Sequence, residues 1–399
     1  MAEKNLDFDT VIDRTHTNSL KYDFAVQRGK PKDVLPLWVA DMDFQVSSYI
    51  QEALSGNVAH GIFGYSEVEG SYFEAVAGWM SRHYGWNVEE TWLVKTPGIV
   101  FALAQAVRAF TEPGDAVLLQ QPVYYPFSQV IRDNGRKIVD NTLVQGEDGR
   151  YRIDFTDFEE KIRSAHVKLF FLCNPHNPVG RVWTKEELLR LGDICERYGV
   201  IVVSDEIHAD FVFEGSHQVL AGLKESYRKF VVTCTAPSKT FNLAGMKTSN
   251  IVIHNKELQK KWKDYVNGSL SMDGASALGM TAMIAAYTEG EEWLEQLKDY
   301  LDGNFAYIDE YLKKYLPKAH LVKAEGTYLA WLDLNGYVDR DEKKLEELMQ
   351  KKAKVALDEG YIFGEEGRGF ERINVASPRS VIEECMNRIR TAFEEEKLV

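Results

Sequence analysis

Four apolar runs in this chain end on residues that could do chemistry together: Gly98, Asn177, Asp205 and Lys239. Residues 231–246 read VVTCTAPSKTFNLAGM, β-branched enough at the start for a buried strand, broken at Pro237, then presenting Ser238, Lys239 and Thr240. A lysine tucked behind such a strand is either a solvated loop residue or a desolvated amine. Near other cations a desolvated amine loses its proton easily and attacks carbonyls and aldehydes. Asp205 follows directly on Val200–Ser204, so it is expected to be partly buried with a cationic partner, or else to cap the next helix. Gly98, before a helix start, offers free backbone amides and a positive dipole end to a phosphate, or is an ordinary turn glycine. Asn177, between His176 and Pro178, could initiate a turn, and His208 could be a satisfied core histidine. Tyr124 and Tyr125 read as packing aromatics. Each bland reading stands alone. Together, at successive strand ends where open α/β sheets bind ligands, these residues point to one site.

The elements that must position them alternate. Phe73, Val76, Ala77 and Met80 mark an amphipathic helix closed by Gly85. An Ala-rich helical segment, 101–110, follows Gly98, and AVLLQ (116–120) is a strand before Tyr124. KLFFLC (168–173) is a strand ending at Asn-Pro-His-Asn-Pro-Val-Gly (174–180), and a helix over about 185–198 closes at Gly199. Strands alternating with helices predict an α/β fold with a mostly parallel sheet covered on both faces. After Ile253 helices are expected over 272–287, 291–315 and 341–357, with strands at 328–334 and 371–375 and a last helix from Pro378. Residues 35–44, LPLWVADMDF, are expected to lie extended over the core. Residues 50–289 are assigned to a large domain, and 1–49 with 290–399 to a smaller α+β one.

Composition bounds the function. Lys plus Arg is 47 against 61 Asp plus Glu, a net charge of −14 in 399 residues, which argues against nucleic acid or an anionic membrane as partner. No stretch approaches the roughly 20 apolar residues that span a bilayer, and MAEKNLDFDT lacks the apolar core of a signal peptide. The four cysteines, Cys173, Cys195, Cys234 and Cys385, have neither paired nor metal-type spacing. A cytoplasmic protein without structural disulfides or a metal site is expected.

Asn-Pro-His-Asn-Pro-Val-Gly, then Asp205, then Ser238-Lys239, in that order and spacing, resembles the fold-type I pyridoxal-phosphate enzymes of the aspartate aminotransferase superfamily, from Trp38 to the last helix. The resemblance implies that Lys239 holds the aldehyde of pyridoxal 5'-phosphate as a Schiff base and that Asp205 keeps the pyridinium protonated as an electron sink. It further implies that Asn177 and His208 bond the ring hydroxyl, although tyrosine is usual at the His208 position. Tyr124 matches the ring-stacking residue. Gly98, Ile99, Val100, Ser238 and Lys247 match the phosphate site, with lysine at 247 where arginine is common. Arg372 matches the clamp on the substrate α-carboxylate, with Ala40 beside it. Tyr65 matches a residue that reaches the phosphate of the partner subunit, implying a homodimer with a shared active site.

Phe8-Asp9, Ile12-Asp13-Arg14, residues 17–23 (TNSLKYD), residues 38–44 (WVADMDF), Asp205-Glu206-Ile207-His208 and residues 238–245 (SKTFNLAG) are similar to the MalY/PatB group of cystathionine β-lyases and cysteine desulfhydrases. The implied activity is α,β-elimination from L-cystathionine or cysteine-type thioethers to pyruvate, ammonia and a thiol, with Lys239 as base and Tyr124 or Tyr125 near the leaving sulfur. An aminotransferase on the same site is the alternative. A third reading is a regulatory binding module, since some members of the group bind a transcription factor; intact Lys239 and Asp205 argue against a catalytically dead version.

Overall fold

The structure is a computed structural model describing residues 6–67, 70–270 and 276–399. Seven strands make the main sheet: β1 (Leu93–Thr96), β2 (Ala116–Leu119), β3 (Lys137–Asp140), β4 (Leu169–Cys173), β5 (Ile201–Asp205), β6 (Val231–Thr235) and β7 (Ser249–Ile253). Their order is β1-β7-β6-β5-β4-β2-β3. From β3 to β6 neighbouring strands are parallel, and β7 runs antiparallel to β6 and β1. Every residue of β2, β4, β6 and β7 is buried, as a sheet with both faces covered requires. The covering helices carry strong local signals. Lys185–Tyr198 opens on a reciprocal capping box between Thr184 and Glu187 and closes at Gly199 with φ 66°.

A second sheet holds β8 (His320–Val322), β9 (Leu329–Asp333), β10 (Asp358–Glu359) and β11 (Phe370–Asn374), in the order β8-β9-β11-β10 with antiparallel neighbours throughout. Helices Glu291–Tyr315 and Arg379–Glu395 lie against each other beside it. The N-terminal segment touches this part of the molecule through one short strand. Leu35–Pro36 pairs in parallel with Val355–Ala356, but the chain then bends at 39–41 and 43–44, so the extended form expected for 35–44 is kept only at its start, while Leu37, Met42 and Phe44 are buried. Among the described residues no helix is long and apolar enough to cross a membrane.

Two further expectations need correction. The helix expected over 341–357 covers Glu342–Glu346, continues as wider turns through Glu347–Lys352 and stops. Lys354 takes φ 51°, which no right-handed helix tolerates, and the next residues are captured as a strand by Leu35 and Leu37, whose amides donate to the carbonyls of Lys354 (2.9 Å) and Ala356 (2.8 Å). Tertiary pairing thus overrides a helix-forming sequence. The strand before Asp205 includes Asp205 itself. The helix expected from Met272 begins at Ala277 among the described residues, and its first expected turn lies outside them.

That helix, Ala277–Glu289, presses its first turn onto the segment that carries Lys247. A Cβ at Gly279 would stand 2.3 Å from the Met246 carbonyl oxygen and 2.0 Å from Thr248 Oγ1. Gly279→Ala is therefore expected to cost about 1–3 kcal/mol, read as a lowered Tm. Gly56→Ala, in a helix where the same Cβ meets nothing within 4 Å, should leave Tm unchanged or slightly raised.

Candidate active site

The parallel register sets the floor of the site. Cys173, Asp205 and Cys234 stand side by side at the carboxyl ends of β4, β5 and β6. Above them lies a cavity of about 420 Å³ lined by Gly98, Ile99, Val100, Tyr124, Asn177, Asp205, His208, Ser238, Lys239 and Lys247, with Leu20, Ala40 and Cys173. The structure thus gathers most of the residues singled out in the sequence. Tyr65 stands fully exposed outside the cavity, and Tyr125 is half-exposed beside it, its ring 5.4 Å from that of Tyr124.

Asp205 is buried, and its side chain accepts one hydrogen bond, 3.1 Å from the backbone amide of Ile207. Among the described residues no side-chain cation is paired with it, which corrects the expected partner; no helix starts there either, the next being Leu220–Leu223, so the bond to Ile207 secures a turn and not a helix cap. Burial pushes its pKa up to about 7, against the pull of that hydrogen bond. The neighbouring carboxylate, Glu206, turns away to Ser204 Oγ (2.8 Å) and His217 Nε2 (2.9 Å).

Lys239 follows β6 in the short helix Pro237–Thr240. Burial, and next the nearby charge of Arg372, bring its pKa down to about 8, so the amine is substantially unprotonated in mildly basic solution. Its Nζ donates to the Ala40 carbonyl oxygen at 2.5 Å, an acceptor that also takes the Tyr328 hydroxyl at 3.0 Å. His208 is buried and kept neutral by desolvation, with Lys239 and Arg372 adding to the effect, and its Nδ1 has no partner.

Arg372 projects from β11 and is buried. Its Nη1 donates to Asn177 Oδ1 (3.0 Å) and its Nη2 to the Trp38 carbonyl (3.0 Å) and to Asp358. The bond to Oδ1 fixes the amide of Asn177 and leaves its NH₂ group to other acceptors. Tyr124 is anchored by its own amide, which donates to the Asn177 carbonyl at 3.0 Å. Gly98 precedes the twelve-residue helix Ile99–Phe110, whose first amides have no intrahelical acceptor and open on the cavity with Ser238 and Lys247.

Three features escape the sequence. Tyr328 and Asp358 carry no local signal, because both reach the site through the pairing of the smaller sheet. The third is the charged staple on 38–44. Arg14 bonds Asp41 (2.6 Å) and Asp43 (2.7 Å), and the fully buried Lys21 bonds Asp43 (2.6 Å). The residues of this staple stand within the family-like motifs, but nothing in their spacing discloses the pairing.

The donor set fits the pyridoxal phosphate that the sequence implies. A buried carboxylate without a cation suits a pyridinium, an unpartnered His208 Nδ1 and the Asn177 amide suit a ring hydroxyl, and a helix start with Ser238 and Lys247 suits a phosphate. The fold and this site together define a class, and the chain belongs to the family of class I and II aminotransferases, which matches it over residues 32–389. Within that family it is 42% identical over 389 residues to cystathionine beta-lyase PatB of Bacillus subtilis (strain 168), across 97% of this chain and 100% of that one. Cystalysin from Treponema denticola, whose structure contains pyridoxal 5'-phosphate, has TM-score 0.93 at 37% identity, covering 98% of this chain and 100% of that one. The PLP-bound C-S lyase from Staphylococcus hominis has TM-score 0.91 at 35% identity, covering 97% and 98%. The expected fold-type I architecture is borne out.

Two outcomes are expected. Because the folded-state pKa of Asp205 lies above the ordinary 3.8, the carboxyl is no burden below about pH 4, and a full one once pH passes about 7. Asp205→Asn should therefore raise the stability of the cofactor-free protein at pH 8 by about 2–4 kcal/mol, a gain vanishing toward pH 4 in thermal scans, while weakening cofactor retention. The rate of borohydride trapping of pyridoxal on the cofactor-free protein should rise through a midpoint near the Lys239 value of about 8, and Lys239→Arg should abolish it.

Proposed function

We propose that this protein is a pyridoxal 5'-phosphate-dependent carbon–sulfur β-lyase that converts L-cystathionine or cysteine-type thioethers to pyruvate, ammonia and a thiol. The observation that carries this reading is a partly deprotonated Lys239 sharing one cavity with an uncompensated Asp205. The similarity to proteins named as lyases over nearly the full chain supports elimination over transamination.

Pyridoxal phosphate supplies an aldehyde for the substrate amine and a ring that draws electrons from Cα. The chain supplies the rest. Asp205 holds the proton on the ring nitrogen, and Asn177 with His208 orients the ring through its hydroxyl. Ser238, Lys247 and the amides of Gly98, Ile99 and Val100 grip the phosphate. Arg372 takes the substrate α-carboxylate, with Ala40 beside it. Lys239, once displaced, removes the Cα proton, and the carbon–sulfur bond breaks with its electrons leaving on sulfur.

Relative acidities favour one proton donor to that sulfur over the others. Burial raises the Tyr124 and Tyr125 phenols further above a thiol, whose ordinary pKa is about 8.5. The ammonium of Lys239, at about 8, matches a thiol closely. Lys239 therefore returns the proton, and Tyr124 stacks on the ring and donates a hydrogen bond at most.

The homodimer belongs to the same proposal. Ile62, Phe63 and Tyr65 expose their side chains together, which supports a role at a subunit boundary with Tyr65 completing the partner's phosphate site. So does the division into 50–289 and 1–49 with 290–399, supported by the pairing of Leu35–Pro36 with Val355–Ala356.

Incubation with L-cystathionine or L-cysteine should yield pyruvate with no added keto acid; amine transfer that requires a keto acid would establish an aminotransferase instead. Arg372→Lys and Arg372→Ala should both lose at least about tenfold in kcat/KM with visible cofactor absorbance intact, because a lysine cannot reproduce a two-bond fork.

A further inference from the structure

Arg372 does not stand as a free cation. Register places Asp358 directly across from it, β10 against β11, and the two side chains form a close ion pair, both buried. Behind the pair, Lys30 of the N-terminal segment binds Glu359 and the Leu357 carbonyl oxygen, the latter at 3.0 Å. Glu371, opposite Glu359 in the same register, is buried with Oε2 unpartnered, and desolvation holds it in its neutral acid form. Burial raises the Asp358 pKa too, but there Arg372 and then Lys30 pull it back. The charges of this buried cluster therefore balance: Arg372 and Lys30 against Asp358 and Glu359. A carboxylate entering the site adds an anion to a cluster that is already neutral.

We propose that Asp358 is a specificity-determining residue that weakens the grip of Arg372 on carboxylates, so that a keto acid product leaves instead of occupying the site. This rests on the lyase reading of Arg372 as the α-carboxylate clamp. An amino-acid substrate is held through its amine as well as its carboxylate. A keto acid product has lost that amine and has only the carboxylate by which to stay. Weakening the clamp takes about the same free energy from both, and it is the product, with no second anchor, that is left too weakly held to stay. Removing one member of a buried ion pair leaves the other uncompensated and in want of an anion. Without Asp358, that anion would be the product.

The test is product inhibition of the holoenzyme by pyruvate, with L-cystathionine as substrate. Asp358→Asn should lower the inhibition constant at least about tenfold, with KM for L-cystathionine falling by no more than that factor, and Asp358→Glu should stay near wild type. Should Asp358→Asn fold poorly, Asp358→Ser carries the same expectation, read by a larger rise in Tm on adding pyruvate. A merely structural Asp358 would weaken pyruvate binding or leave it unchanged, and either result overturns the proposal. Arg372→Ala separates the two readings. If it abolishes the pyruvate-induced Tm shift while the Asp358 variants bind pyruvate no tighter, only the role of Asp358 falls. If it leaves that shift intact, the clamp itself is wrong and the proposal falls with it.

Discussion

A buried carboxylate that, among the described residues, no side-chain cation bonds is the constraint on which this structure turns. Asp205 ends the central strand of a sheet whose neighbours contribute Cys173 and Cys234 at the same level, thiols that burial keeps protonated. Neither thiol offsets a negative charge, and the pull of the Lys239 charge is smaller than the effect of burial. Folding such a group is unfavourable in proportion to its desolvation, and the arrangement makes chemical sense only if a cation arrives from outside the chain. The apolar strands that make the sheet stable are the same ones that raise Asp205 toward neutrality. Lys239 responds to the same burial in the opposite sense: its charged form is disfavoured and its amine becomes available.

Holding these two groups in register requires more than the sheet. The strip 38–44 receives Lys239 at the Ala40 carbonyl, Arg372 at the Trp38 carbonyl, and the Asn374 side chain at the carbonyls of Val39 (2.7 Å) and Asp41 (2.6 Å). Arg14 and Lys21 grip its two acids from the other side. Lys239 and Arg372, which follow or lie in different sheets, are thus referred to one short backbone segment. A strip that bends outside any sheet suits this, because its carbonyls have no strand partner and remain free to accept.

Where the sequence was legible, the reason was local. Strand ends carrying Gly98, Asn177, Asp205 and Lys239 could be read because β-branched runs and turn residues mark strands without help from distant chain. The helix at Lys185–Tyr198 announces both its ends, through Thr184 with Glu187 and through Gly199. Roles for Tyr65, Arg372 and Lys247 came from family likeness and from nothing in their own surroundings. Asp358 was invisible from either direction. Its neighbourhood reads as the end of a helix, and only the pairing of Val355–Ala356 with Leu35–Pro36 turns the chain so that Asp358 faces Arg372. Long-range pairing leaves no trace in a local pattern, and the electrostatic balance of the clamp depends on it.

That same pairing has a consequence for how the molecule is made. Leu35 waits for Val355, 320 positions later (355 − 35). A growing chain that has already emitted the whole main sheet can offer the N-terminal segment Asn242, which bonds the backbone of Met42 and Phe44, but not the strand that pairs with Leu35–Pro36. Until the last strand and helix emerge, the apolar Leu37, Met42 and Phe44 lack their cover, and such exposed segments are the ones that aggregate or recruit chaperones. Truncation near the C-terminus would accordingly loosen the N-terminal segment along with the residues removed, leaving it held only through contacts such as those of Lys239, Asn242 and Trp293.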